Sequence, residues 1–162
     1  MGGIIDVVID DREPGEFVGL FKDAGATSVR VERLRVGDFL VNQHWVFERK
    51  TIADLCASLV DGRLFRQALK RLKSSGYPVI ILEGRSKDAE EVHVSRESIQ
   101  GALITLSVFF NIPVLRAMDG EELVHLIEYT VVQEGRFQKN AIHRYGYGIE
   151  KITARRIRCI LS

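Results

Sequence analysis

Only two cysteines occur in the 162 residues, Cys56 and Cys159, far apart and in no metal-like spacing. That scarcity argues against a disulfide framework and a thiolate metal site, and fits reduced thiols in an intracellular protein. Long apolar runs are missing too. None approaches the roughly 20 residues that span a bilayer, and the N-terminal MGGIIDVVIDD has no basic stretch ahead of an apolar core. The chain therefore reads as soluble and intracellular: cytoplasmic or nucleoid-associated in a prokaryote, nuclear in a eukaryote. The four histidines, His44, His93, His125 and His143, are scattered without ligand spacing and suit surface or loop positions. There is no internal repeat and no low-complexity segment.

Strong net charge is also lacking. A balance of +1 does not announce a polyanion binder, but the distribution is uneven. Seven Lys/Arg fall between Arg49 and Lys73 against Asp54 and Asp61, and seven more between Arg136 and Arg158 against Glu150 alone. Between these regions, 119–134 carries five acids and no Lys or Arg. Separate basic and acidic surfaces are one reading, and ordinary solvated helix faces are the other.

What is present suits one α/β domain: 46% of residues are hydrophobic, enough for a core without staples. Residues 4–10 read as a buried strand, 16–24 as a helix closed by Gly25, and 29–34, 39–41 and 45–49 as strands. Thr51-x-x-Asp54 has the form of a capping box opening a helix, with Cys56 in its apolar face. Helix 63–74 gathers Arg63, Arg66, Lys70 and Lys73 on one face, a candidate DNA track, opposite Phe65, Ala68, Leu69 and Leu72. The apolar run 78–83 reads as a central strand. Helix 95–110, strand 112–115 and helix 120–134 follow. This order predicts a mixed sheet flanked by helices, an antiparallel meander followed by parallel strands. It divides the chain into a domain over 1–134 and a basic segment over 135–162, within which RYGYG (144–148) reads as a linker or a DNA grip.

The stretch FERKTIAD (47–54) breaks an apolar pattern with three consecutive charges. A hairpin over 36–50 with a three-residue loop, 42–44, makes Val41 face Trp45 and brings Asp38 opposite Glu48. Period-two alternation then puts Lys50 on the face of Glu48 and Arg49 on the other. Directly opposed like charges are destabilising by themselves and need a compensating cation. A hard divalent ion such as Mg²⁺ suits two carboxylates with the rest of its shell water. Lys50 beside it could orient an attacking water and offset phosphate charge, a kit for phosphodiester hydrolysis. Asp10, at the end of the first strand, is the natural third carboxylate for the metal, or else a turn aspartate. Asp54 has a capping role open to it as well.

Gly37-Asp38, then Glu48-Arg49-Lys50 and Asp54, resembles the GD…ERKxxxD signature of XPF-type structure-specific endonucleases. Asp10-Asp11-Arg12-Glu13 is similar to that family's Asp-x-Arg-Glu, and residues 58–67, SLVDGRLFRQ, to its SL-x-DGRL segment. The resemblance spans about 4–134. It implies a restriction-endonuclease-like fold and a repair or recombination nuclease cutting branched DNA, of 3′-flap or fork kind, with Mg²⁺ or Mn²⁺. By the same resemblance Asp10, Asp38 and Glu48 are metal residues, Lys50 is the catalytic lysine and Arg49 is essential. Asp54 completes the signature, and Arg63 supports the site or meets DNA. The resemblance also implies a homodimer or heterodimer of nuclease domains. We expect that pairing to use surplus apolar residues of helix 95–110 and Leu123, Val124, Leu126, Ile127 and Val131 of helix 120–134. A non-catalytic DNA-binding partner subunit and a Holliday-junction-resolvase-like nuclease are the alternatives.

Overall fold

The computed structural model describes residues 4–72, 76–85 and 94–145. Lys73 of the basic face, most of the 84–94 stretch, Cys159 and residues 146–162 lie outside them, as does part of RYGYG.

The first apolar run forms β1 (Asp6–Asp10), and the amphipathic stretch after it forms α1 (Glu16–Asp23). Then come β2 (Ser28–Glu32), β3 (Phe39–Val41) and β4 (Trp45–Thr51). Thr51 caps α2 (Ile52–Val60), its hydroxyl oxygen accepting the Asp54 N–H at 3.0 Å. Next are α3 (Arg63–Leu72), β5 (Tyr77–Glu83) and α4 (Arg96–Ile104). A π-helical turn, Thr105–Phe109, leads to β6 (Val114–Ala117) and α5 (Gly120–Tyr145).

The six strands make one mixed sheet in the order β2-β1-β3-β4-β5-β6, the expected α/β class. One pairing departs from the expected meander. β2 lies parallel to β1, in register from Asp6↔Ser28 to Asp10↔Glu32. The reason is the helix between them: a strand–helix–strand unit returns the chain in the same direction, whereas a tight turn would reverse it. β1–β3–β4 is the antiparallel part, and β4–β5–β6 is parallel.

Each sheet face carries its own core. Val7, Ile9, Phe39, Phe47 and Ile81 pack with Phe17 and Phe21 of α1 and with Leu123, Val124 and Ile127 of α5. Ile80 and Leu82 pack on the other face with Ile52 and Leu55 of α2, Leu64 of α3, and Leu106. Burying each such side chain contributes roughly 1.5–3 kcal/mol.

The structure corrects two expectations about α5. The helix does not stop at Glu134 but runs on to Tyr145. A glycine such as Gly135 costs only about 1 kcal/mol in a helix, and its neighbours Gln133, Glu134, Arg136 and Gln138 are good helix formers. Nor are its apolar residues surplus. Leu123, Val124, Ile127 and Val131 are buried and Leu126 packs against them, because α5 and α1 together must cover a whole sheet face.

Candidate active site

The β3–β4 hairpin sets the site's geometry. Asn42 and Gln43 turn the chain with φ of 48° and 64°, and the His44 N–H donates to the Val41 carbonyl at 3.2 Å. Val41 faces Trp45, Leu40 faces Val46 and Phe39 faces Phe47. The Cα pairing ends there, one step short of the expected Asp38–Glu48 opposition. Gly37 sits at φ +79°, and a Cβ on it would lie 2.5 Å from Val46 Cγ1. Only glycine fits this close approach, and it delivers Asp38 to the strand end. There the Asp38 N–H donates to the Phe47 carbonyl at 2.8 Å, while Oδ2 accepts the Arg49 N–H, also at 2.8 Å. The two bonds fall on either side of Glu48, so Asp38 clasps it through the flanking backbone rather than by direct opposition.

Glu48 pairs with Ile80 and Lys50 with Leu82, both on the α2–α4 face. Lys50 is buried, at 8% exposure. An ammonium there is tenable only in company with negative charge.

Arg49 turns to the α1 face. Its Nε donates to Glu83 Oε2, its Nη1 lies 3.6 Å from Glu13 Oε2, and its guanidinium sits 5.4 Å over the Phe17 ring. It ties the loop after β1 to the end of β5. Burial pushes the Glu13 carboxyl up, against the pull of Arg49, and the buried Glu13 Oε2 has no hydrogen-bond partner among the described residues. Sequence reasoning left Glu13 and Glu83 without roles. Asp-x-Arg-Glu was the available signal for Glu13, whereas nothing local marked Glu83.

Asp10 joins this strand end through its backbone, its N–H donating to the Asp38 carbonyl at 2.8 Å. Its carboxylate is engaged elsewhere. Oδ1 accepts from Arg12 N at 3.1 Å and from Arg12 Nε at 2.5 Å, and Oδ2 accepts from Leu34 N at 2.7 Å. The side-chain bond from Arg12 leads in holding this carboxyl at about 2, outweighing burial. Among the described residues no three or more His, Cys, Asp or Glu side chains are grouped to hold a metal. A divalent ion would rest on Asp38 and Glu48, and oxygen donors of that kind suit Mg²⁺ or Mn²⁺.

The remaining expected residues lie further out. Asp54 is exposed and accepts the Thr51 hydroxyl at 2.7 Å. Arg63 is exposed and paired with Asp61 at 2.6 Å, and Arg66 and Lys70 are exposed along α3. Trp45 and His44 share a partner on α5: Trp45 Nε1 donates to Glu134 at 2.9 Å, and His44 Nε2 lies 3.2 Å from the same carboxylate. Cys56 is core, as expected, and burial pushes its thiol up.

Comparison with known proteins adds an independent line. The family model for the ERCC4 domain matches residues 9–130. A Methanocaldococcus jannaschii protein bearing an ATP-dependent RNA helicase name is 31% identical over 143 residues, covering 88% of this chain and 17% of that protein. The 3′-flap repair endonuclease Xpf of Saccharolobus solfataricus is 25% identical over 142 residues, covering 87% and 60%. The chain thus spans less than two thirds of either relative. Among solved structures, XPF from Aeropyrum pernix in complex with DNA superposes with a TM-score of 0.70 and 27% identity, covering 81% of this chain and 64% of that one.

Proposed function

This chain belongs to the ERCC4-domain family of XPF-type nucleases, and on that premise we propose that its strand-end site hydrolyses phosphodiester bonds in branched DNA, of 3′-flap or fork kind, during repair or recombination. The observation that carries this is Asp38 clasping both sides of Glu48 while Lys50 lies buried on the face of Glu48. Asp38 and Glu48 would hold Mg²⁺ or Mn²⁺, which when bound supplies Lewis acidity at the scissile phosphate and a more acidic water. The Arg49 N–H fixes the Asp38 carboxylate. Lys50, preorganised by burial, sets positive charge where phosphate charge develops and orients the attacking water. Arg49 keeps the frame rigid from the opposite face. The test is incubation of the chain with flap, fork, nicked and four-way DNA in Mg²⁺. Cleavage at the flap or fork junction is expected. Preference for four-way junctions would move the reading to a resolvase, and absence of all cleavage to a non-catalytic subunit.

The α3 face extends the reading to DNA binding. Arg63, Arg66 and Lys70 support it as the described part of a phosphate track completed in sequence by Lys73. Neutralising Arg66 and Lys70 together should weaken binding to every DNA alike. It should also lower the log–log salt slope by about 1.4–1.8, since each phosphate contact adds roughly 0.7–0.9. An unchanged slope in a salt titration would leave this face merely solvated.

The dimer reading narrows to the 95–110 part of the expected surface. Ile104, Val108 and Phe109 are exposed at 52%, 62% and 72% around the π-helical turn, an apolar strip that a symmetric second copy could cover. Phe109→Glu should give a soluble monomer by light scattering where the native chain at micromolar concentration is dimeric. A monomeric native chain would remove the dimer from the proposal.

A further inference from the structure

Asp10 is tied to Asp38 through its backbone, yet both its carboxylate oxygens face other groups. One holds Arg12 through backbone and side chain, and the other holds the Leu34 N–H at 2.7 Å. Arg12 in turn reaches the Leu34 carbonyl at 3.5 Å. Asp10 therefore fastens the loop before β3 to the loop after β1. Three guanidiniums stand out of that junction. Arg12 and Arg33 are 57% and 62% exposed, and Arg33 is steadied by Asp11 at 2.9 Å. Arg35 is exposed and has no carboxylate partner among the described residues. With Asp10 and Asp11 counted, the cluster carries three positive charges and two negative. Two of the guanidiniums, those of Arg12 and Arg33, are held by carboxylates, and Arg35 is exposed next to them in the chain. Exposed ion pairs such as Arg33–Asp11 are worth little in water, so exchanging one for a phosphate costs little. A guanidinium also matches two phosphate oxygens in fork geometry.

We propose that Asp10 is the clasp of a phosphate-binding rim, in which Arg12, Arg33 and Arg35 grip the DNA backbone on the β2 side of the site while α3 lies on the β4–β5 side. This rests on the nuclease reading above and assigns the strand beside the cut a second point of contact. The basic helix alone cannot set how a duplex crosses the strand ends. Two contacts flanking Asp38 and Glu48 can. Asp10 is then a positioning residue: its buried carboxylate orders the rim and its backbone braces Asp38.

The experiment titrates salt against binding of a fluorescent flap duplex, with Ca²⁺ replacing Mg²⁺. In parallel it follows the Mn²⁺-induced rise in melting temperature. Arg33→Gln with Arg35→Gln should weaken binding about tenfold at 0.15 M salt and lower the salt slope by about 1.4–1.8. Asp10→Asn should do the same in part, add nothing when combined with a triple variant that also carries Arg12→Gln, and keep the Mn²⁺-induced rise. A native slope in the Arg33/Arg35 variant would overturn the rim. So would Asp10→Asn losing the Mn²⁺ response with its slope intact, since Asp10 would then be a metal ligand. Should Asp10→Asn not fold, the Arg33/Arg35 variant decides alone, both residues being exposed. If the native chain shows neither cleavage nor a Mn²⁺ response while the slope still falls, the rim stands and the nuclease reading fails. Cleavage with an unchanged slope removes the rim alone.

Discussion

Asp38→Asn and Glu48→Gln are each expected to lower cleavage of a flap substrate by about a thousandfold or more while the chain stays folded. Removal of one of the two carboxylates halves the charge that would hold the ion, and electrostatic stabilisation of a developing phosphate charge is commonly the largest catalytic contribution. The fold should tolerate the change. An Asn at 38 can still accept the Arg49 N–H through its side-chain oxygen, and losing one of two neighbouring negative charges relieves repulsion. Metal-induced stabilisation separates the two effects. At 100 times its dissociation constant an ion bound only to the native state adds about 2.7 kcal/mol. Mg²⁺ or Mn²⁺ should thus raise the melting temperature of the native chain and leave both variants unmoved. Either variant cutting at the native rate, or the native chain cutting in chelator, would remove Asp38 and Glu48 from the chemistry.

Arg49→Met is expected to destabilise the fold by about 2–4 kcal/mol at neutral pH, the range for breaking a largely buried ion pair, discounted for the 22% of the side chain still exposed. The loss leaves Glu13 and Glu83 facing each other's neighbourhood without the guanidinium that lies between them. Its pH dependence identifies the cause. Burial raises the Glu13 carboxyl above 4.5, and Arg49 opposes that rise. A carboxyl raised in the folded state costs stability above its folded value, and the cost vanishes once pH falls below the unfolded value. Without Arg49 the cost grows. The deficit of the variant should therefore be largest near pH 7.5 and shrink on acidification through the Glu13 range. Urea midpoints of native and variant chains at several pH values measure it. A deficit independent of pH would mean that Arg49 acts by packing on Phe17 alone. Arg49→Lys should recover only part of the loss, because a point charge cannot reach Glu13 and Glu83 together while covering the ring.

Much of this was legible before any tertiary information, because hairpin register and side-chain alternation are local. The spacing from Phe39 to Phe47 determines that Val41 meets Trp45, and period two puts Glu48 and Lys50 on one face and Arg49 on the other. Thr51 capping α2 follows from four consecutive residues. The mixed α/β class followed from alternating apolar runs and amphipathic stretches, and the kinship from a signature confined to 37–54.

Contacts between segments distant in sequence were not legible. The parallel return of β2 was within reach of local pattern, because a helix was expected between the two strands; what that pattern cannot give is that β3 then pairs on the other edge of β1. It cannot tell a core stripe from a docking stripe on α5 either, because the same leucines and isoleucines serve both. Only the area of sheet left uncovered by α1 assigned Leu123 and Ile127 to the interior, and only the packing of the opposite face, which takes in Leu106, left Val108 and Phe109 outside. Direct opposition of Asp38 and Glu48 failed by one step because Gly37 packs against Val46, a close approach that no ladder count includes. Asp10 shows the division most clearly. The chain alone determined that a carboxylate ends β1, since strand and turn are local. Its direction was settled partly by Arg12, two residues on, a local turn contact, and partly by Leu34, 24 residues away, whose N–H no pattern places, because a buried charge goes wherever the folded chain offers it donors.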